Sequence, residues 1–266
     1  MPSLTQRTFE RIRDDVCQHI PAGGRVLEVS CAQGDLLKMI RDRGYEVRGT
    51  NFSRYDDADP SLEMDWGVDL LDRLPYEDGA FDGVVLADVI EHLSSHEKAI
   101  AEIARVLAPG GKLIVATPNT LRINSRLHFL FTGFFKIKRS FVAFDVSPQH
   151  AFTFHNHPPH LPVYLYQCHA HGLPFVAIST LECKPKSVLM WLLFAPVIYP
   201  VTWYKLNRSE KFLKGTPASR MLLKILTSFR MLCGETWVCV VGKPSAPVAT
   251  DDQPTQTRLP AWAERS

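Results

Sequence analysis

The chain has 266 residues, enough to bury one large hydrophobic core as a single domain. Its 30 Lys and Arg residues nearly balance its 28 Asp and Glu residues, so bulk charge gives no support to nucleic-acid binding. Six cysteines are scattered without a CxxC pair or zinc-finger spacing, and residues 1–16 carry charges where a secretory signal needs an apolar run. We therefore expect a cytoplasmic protein with reduced thiols.

The first half of the chain alternates between helical and strand patterns. Helical spacing of apolar residues is found at 4–20, 35–43 and 97–107. Short apolar runs typical of strands are found at 26–29, 46–50, 62–64, 81–87 and 112–117. This alternation predicts βαβ units and a parallel sheet, which binds ligands at the carboxyl ends of its strands.

The segment 25–34, RVLEVSCAQG, is the stretch around which this half is organised. It predicts a buried strand that carries an acid, Glu28, and runs into a turn of small residues before a helix. Such a turn lets a ligand approach the backbone, and the helix offers unpaired N–H groups. The pattern by itself predicts a nucleotide-like ligand above a parallel sheet.

Three motifs carry a resemblance to a known family. They are EVSCAQG (28–34), LPYEDGAFDGVVLADVIEHL (74–93) and EIARVLAPGGKLIVATPN (102–119). At this spacing, the segment 25–119 resembles the core of the class I S-adenosylmethionine (SAM)-dependent methyltransferases, of the type found in ubiquinone biosynthesis and cell-surface glycan methylation. The resemblance covers about a third of the chain, and the glycine motif alone would be a weak signal.

The resemblance implies SAM as cofactor and assigns it a set of contacts. Glu28 and the turn would meet the amino-acid end, Asn51 the ribose, Asp69 the adenine, and Asp88 the methionine moiety. The full implied set is Glu28, Ser30, Cys31, Ala32, Gly34, Asn51, Phe52, Asp69, Leu70, Ala87 and Asp88.

The first motif departs from the family pattern. Ser30 and Ala32 stand where the family has glycine, and Asn51 stands where it has an acid. If Ser30 and Ala32 need a positive φ, each substitution costs roughly 1 kcal/mol. We therefore expect SAM binding that is weak but real, with a catalytically degenerate descendant as the alternative.

The segment 120–172 is predicted to hold the acceptor. An aromatic patch at 129–135 precedes six histidines between 150 and 171, whose loose spacing matches no metal template, so we expect no metal. In similar methyltransferases a histidine that lines the acceptor pocket opens this region before a helix, here 161–171, and His150 fits that place. The candidate bases are His92, His150 and Glu91.

The last two predicted strands, 175–183 and 236–242, are separated by about 50 residues. Within this connecting segment, residues 187–204 carry no charge and have basic flanks. Pro196 and Pro200 are expected to break a helix there. The segment therefore predicts either an interfacial element on an anionic membrane or a helical pair that forms a lid, in preference to a membrane span. A second helix is predicted at 221–232.

The sequence thus predicts an α/β fold: a Rossmann-like, doubly wound, seven-stranded, mostly parallel sheet with an antiparallel last strand. One methyltransferase domain would cover 1–243, with a core at 21–119, an acceptor or lid region at 120–172 and an apolar helical insertion at 184–234. The tail 244–266 is predicted to be disordered.

Two functions of different class follow from these patterns. The first is methyl transfer from SAM, mainly to oxygen, on a small-molecule, lipid-linked, glycan or other large apolar acceptor. The enzyme would be cytoplasmic and peripheral at the inner face of the membrane, which it would meet through 187–204. The second is a degenerate methyltransferase fold that acts as a binding or scaffold module. A nicotinamide-dependent oxidoreductase lacks support, because the chain has no GxGxxG. The acceptor atom and the oligomeric state stay open.

Overall fold

A computed structural model describes residues 3–138, 154–209, 211 and 213–245 of the chain. Its strands are β1 (Arg25–Val29), β2 (Glu46–Asn51), β3 (Met64–Trp66), β4 (Phe81–Ala87), β5 (Leu107–Pro118), β6 (Phe175–Cys183) and β7 (Gly234–Gly242). Its α-helices are α1 (Leu4–His19), α2 (Asp35–Arg41), α3 (His96–Val106), α4 (Ile123–Thr132), α5 (Leu161–Ala170), α6 (Pro185–Tyr204), α7 (Pro217–Leu226) and α8 (Phe229–Cys233).

The strands form one seven-stranded sheet in the order β3-β2-β1-β4-β5-β7-β6. β1 to β5 pair in parallel, and β7 pairs antiparallel with both β5 and β6. The predicted Rossmann-like fold with an antiparallel last strand is confirmed. The strand order reverses between β1 and β4, so a crevice opens where these two strands end.

Helices cover both faces of the sheet, as the unbroken apolar runs of the central strands require. On one face α1 and α2 bury Ile12, Val16 and Ile40, and on the other α3 buries Ile100 and Ile103. Burial of this kind contributes roughly 1.5–3 kcal/mol for each large aliphatic side chain. The central strands are therefore rigid supports for the groups at their ends.

Most predicted boundaries agree with the structure, but β5 begins at Leu107 rather than at residue 112, and the third strand is shifted. β3 covers Met64–Trp66 instead of 62–64. Leu62 lies in a turn in which its N–H donates to the carbonyl of Asp59. Its side chain packs with Cys31 and Leu37 rather than in the ladder of the sheet.

The single helix predicted over 221–232 is wrong, because the chain breaks between α7 and α8. The hydroxyl of Thr227 donates to the carbonyl of Leu223 and ends α7, and the hydroxyl of Ser228 accepts from the N–H of Met231 and caps α8. Hydroxyl side chains compete with helical backbone bonds in this way and favour caps over helix interiors.

The predicted break at Pro196 and Pro200 is also wrong. α6 is one continuous helix of 20 residues that contains both prolines. Each proline removes one backbone donor and crowds the carbonyl four residues earlier, yet the helix continues through both positions. The segment is therefore one helix, not a helical pair, and α4 and α8 are among its main neighbours.

Candidate active site

The turn after β1 keeps a glycine-type backbone although two glycines are replaced. Ser30 has φ 56°, Ala32 has φ 52° and Gly34 has φ 95°, all in the left-handed region. A non-glycine residue there carries a cost of about 1–2 kcal/mol. The side chains at 30 and 32 therefore strain the turn.

Asn51 braces this turn from the end of β2. Its Oδ1 accepts from the N–H of Ala32 at 2.8 Å, and its Nδ2 donates to the carbonyl of the same residue at 3.0 Å. The side chain is buried, so two hydrogen bonds hold a backbone unit that the alanine strains. These contacts give Asn51 a structural role, and its predicted contact with a ribose stays a prediction.

Cys31 lies under the turn rather than in the crevice. Its side chain is buried, and burial raises the pKa of its thiol to about 12, so the sulfur is a neutral packing group. A Cβ atom at Gly49 of β2 would lie 2.5 Å from this sulfur, so the glycine makes room for it. Any ligand contact of Cys31 would come through its backbone.

Glu28 is a buried acid at the carboxyl end of β1. Burial raises the pKa of its carboxyl to about 8, and the nearby charge of Asp35 adds to that effect. Its Oε2 has no hydrogen-bond partner among the described residues. A buried oxygen without a donor costs about 1–3 kcal/mol, so the site favours a ligand that brings a donor, such as an ammonium group.

The other predicted cofactor residues lie at the ends of neighbouring strands. Phe52 follows β2 and is 65% exposed, and Asp88 follows β4 with φ 54°. Asp69 accepts from the N–H of Leu71 at 2.8 Å, while Leu70 is buried beside it. Parallel pairing brings these strand ends to one edge of the sheet, where Ala87 ends β4.

Glu91, His92 and His155 form a cluster beside that edge. One ligand-type atom from each lies within 4.8 Å of the others, and the two imidazole rings meet edge to face at 4.7 Å. Glu91 is fully buried and accepts from the hydroxyl of Thr117 at 2.8 Å. His92 Nδ1 lies 3.0 Å from the carbonyl of Phe154.

Burial, reinforced by the nearby charge of Asp88, raises the pKa of Glu91 to about 8. A carboxyl group of this kind can hold or accept a proton near neutral pH. The donor set would also suit a metal ion, and the sequence-based expectation of no metal stays a prediction. The third candidate base, His150, lies outside the described residues.

Sequence reasoning missed the ion pairs that attach the helical insertion. The carboxylate of Glu235, at the start of β7, pairs with Arg122 before α4 and with Lys184 before α6 at 3.3 Å. Asn119 adds hydrogen bonds to the carbonyls of Met231 and Gly234 at 2.7 and 2.9 Å. These partners lie far apart in sequence, so no local pattern marks them.

Restoring glycine at 30 and 32 tests the strain in the turn. We expect Ser30→Gly and Ala32→Gly together to raise the free energy of unfolding by about 1 kcal/mol, because relief of the left-handed strain exceeds the entropy that glycine adds to the unfolded chain. Urea titrations of the wild type and the double variant measure the difference. A double variant that is less stable than the wild type would show that the turn is not strained.

The comparisons with known proteins agree with this geometry. Residues 27–115 match the family model described as a methyltransferase domain. Over 101 residues, the chain is 39% identical to a demethylmenaquinone methyltransferase of Thermus thermophilus, a match that covers 34% of this chain and 46% of that protein. It is 32% identical over 106 residues to a ubiquinone biosynthesis O-methyltransferase of Xanthomonas oryzae pv. oryzae, a match that covers 37% of this chain and 44% of that protein.

The chain spans about half the length, or less, of the curated relatives it matches. Among solved structures, a SAM-dependent methyltransferase from Archaeoglobus fulgidus superposes with a TM-score of 0.55 at 16% identity, covering 90% of this chain and 94% of that one. The [4+2]-cyclase SpnF superposes with a TM-score of 0.51 at 21% identity, covering 91% and 83%. At these identities the superpositions establish the fold alone.

The residues present at this edge fit SAM. The turn has the left-handed backbone that lets a ligand approach closely, and the unpartnered oxygen of Glu28 suits the ammonium group of its methionine moiety. Both features lie where the strand order reverses. Residues 27–115, which match the methyltransferase-domain model, are therefore similar to the class I SAM-dependent methyltransferases.

Proposed function

We propose that this protein transfers the methyl group of SAM to a hydroxyl oxygen of a large, apolar acceptor, such as a quinone-like lipid or a lipid-linked glycan. The observation that carries the proposal is the turn at 30–34, which keeps its left-handed backbone beside the unpartnered oxygen of Glu28. SAM supplies a methyl group on a sulfonium, which is activated for in-line displacement. The protein has to align the acceptor and exclude water.

The cofactor would be held along the carboxyl edge of the sheet. We assign its amino-acid end to Glu28 and to the backbone of the turn, and its adenosine to the ends of β2 and β3. A cavity of about 350 Å³ opens there among residues 54–66, and Leu62 and Met64 line it beside Gly34. This position supports an adenosine site next to the turn.

The acceptor proton would go to the cluster beside β4. Glu91 has a pKa raised to about 8 by burial, and His92 lies next to it in the 3-10 turn Ile90–His92. We assign general-base catalysis to one of these two side chains, an effect worth typically 10²–10⁴-fold in rate. His150 stays a third candidate from the sequence.

An apolar acceptor is supported by two observations. The two relatives described above carry names from menaquinone and ubiquinone biosynthesis, and their substrates are inferred for this chain only by analogy. The helices α4 and α6 also expose large apolar side chains. We further propose that residues 1–243 act as one domain in this reaction.

The alternative function is a degenerate fold that binds without catalysis. The strained turn favours it, because Ser30 and Ala32 occupy backbone positions suited to glycine. In that case the chain would bind neither SAM nor its product.

Calorimetric titration with S-adenosylhomocysteine separates the two functions. We expect a dissociation constant in the micromolar range for the wild type, and about tenfold weaker binding for Glu28→Gln, because a bound ammonium group favours the ionised form of Glu28 and the amide cannot ionise. Circular dichroism controls for folding. A folded wild type that shows no heat of binding up to millimolar ligand would refute the enzymatic proposal and favour the binding module.

A further inference from the structure

The outward face of α6 is apolar along its whole length. The side chains of Leu189, Leu192 and Leu193 are about 60% exposed, and Val197 and Val201 continue the same face. No charged residue occurs between Lys186 and Lys205. A surface helix of a water-soluble domain normally turns polar residues outward, so this face is built for a different environment.

The opposite face of α6 is occupied by protein. Ser187 is buried, and Trp191 meets the ring of Phe229 edge to face at 5.1 Å. α4, α7 and α8 all pack against the helix. By length and composition, residues 185–209 could cross a membrane. Contacts along one side instead favour a helix that lies flat, with only its outward face in lipid.

α4 extends the exposed surface. It packs against α6 and exposes Phe129, Leu130 and Phe131, and Phe134 follows in the next turn. Of the 19 large apolar side chains that are exposed in the described part of the chain, 13 lie on α4, this turn and α6. Because the exposure is concentrated, we treat these 13 side chains as one surface, called the apolar platform.

Basic residues flank the helices of the apolar platform in the sequence. From Lys184 to Arg230 the sequence has nine Lys and Arg residues and a single acid, Glu210. Lys136 and Lys138 follow α4. Each basic residue near an anionic bilayer adds about 1 kcal/mol, or roughly a fivefold gain in binding. The charge pattern therefore selects a negatively charged lipid surface over a neutral one.

The platform stands at the edge of the sheet that holds the candidate active site. α4 follows β5 directly, and α6 follows the end of β6, which pairs with the start of β7. The carboxylate of Glu235 ties both helices to this edge through Arg122 and Lys184. A bilayer against the platform would therefore lie on the same side of the molecule as the crevice.

We propose that the apolar platform docks this protein on an anionic bilayer, with α6 lying in the interface, so that the acceptor reaches the crevice from the lipid. The docking step is independent of the methyl-transfer proposal. Only the delivery of the acceptor rests on that proposed function.

Vesicle flotation of the full chain tests the docking. We expect the wild type to float at low salt with vesicles of phosphatidylcholine and phosphatidylglycerol, and to float several-fold less with phosphatidylcholine alone or in 0.5 M NaCl. We expect Leu192→Glu with Leu193→Glu to reduce flotation at least tenfold. The matched control, Val163→Glu with Tyr166→Glu, changes two exposed apolar residues on α5 and should float like the wild type.

Titration with S-adenosylhomocysteine on the same variants keeps docking and cofactor binding apart. Flotation lost in the α6 variant with unchanged affinity for S-adenosylhomocysteine supports the platform. Wild-type protein that binds S-adenosylhomocysteine but stays at the bottom of the gradient refutes docking and leaves the methyl-transfer proposal standing. A dimer in sedimentation analysis that dissociates in the α6 variant, without flotation of the wild type, would assign the platform to a second copy and also overturn the proposal.

Discussion

Replacing Gly34 by alanine is expected to lower the free energy of unfolding by about 2–3 kcal/mol and to abolish detectable binding of S-adenosylhomocysteine. Two costs add at this position. The backbone has φ 95°, which costs an L-residue about 1–2 kcal/mol. The new Cβ would also lie 2.5 Å from Met64 Cε and 2.6 Å from Leu62 Cδ1, so the ends of both side chains must shift, which we expect to cost about 1 kcal/mol, the low end of overpacking. Urea denaturation measures the change in the free energy of unfolding, and calorimetric titration measures the loss of S-adenosylhomocysteine binding.

The chain supplies a matched control for this substitution. Gly44 has φ 87°, and a Cβ placed there meets no atom within 4 Å. Gly44→Ala therefore isolates the backbone strain, and we expect it to cost about 1 kcal/mol and to leave ligand binding unchanged. If Gly34→Ala were no more destabilising than Gly44→Ala, the packing of Leu62 and Met64 against the turn would have no energetic role.

Restoring the family acid by Asn51→Asp is expected to destabilise the protein by about 3 kcal/mol at neutral pH. The Nδ2 group donates to the carbonyl of Ala32 at 3.0 Å, and a carboxylate oxygen there would face that carbonyl without a proton between them. The site is buried, so the new charge would lack both water and a cation. Asn51→Ala provides the reference in which both bonds are lost without a charge.

The pH dependence identifies the cause of this loss. Burial should raise the folded-state pKa of an aspartate at position 51 above its unfolded value of about 4. The destabilisation is then small near pH 4, grows as pH rises through the window between the two pKa values, and levels off above the folded value. Thermal unfolding of the variant and wild type from pH 4 to 8 measures it. A variant as stable as the wild type at pH 8 would contradict the amide brace.

The fold could be predicted largely from local patterns. The bounds of β4 and β6 follow from apolar runs that end at turn residues, and the parallel sheet follows from their alternation with helices. The left-handed turn was predictable in the same way, since Ser30 and Ala32 stand at motif positions that require a positive φ. The strand bounds and the turn could be predicted because each is determined by residues that are close together in the sequence.

The parts that could not be predicted depend on partners distant in sequence. The amide of Asn51 forms a hydrogen bond with Ala32, which lies 19 residues earlier in the chain. The position of Asn51 after β2 indicates a ligand contact and gives no sign of this hydrogen bond. The pair of Arg122 and Glu235 joins residues 113 positions apart. The continuous helix through Pro196 and Pro200 also depends on tertiary contacts of α6 with α4 and α8, which no local pattern shows.

The helical insertion leaves and rejoins the sheet at paired residues, and this has an evolutionary consequence. Cys183 at the end of β6 lies opposite Gly234 at the start of β7, so the two ends are as close as any antiparallel pair, about 5 Å. Lengthening a loop between such fixed ends costs little, about 0.6 kcal/mol for each doubling of its length. Lineages can therefore exchange this segment for a short hairpin or for other helices while the cofactor-binding half stays unchanged. Substrate range in this architecture can diversify faster than the chemistry.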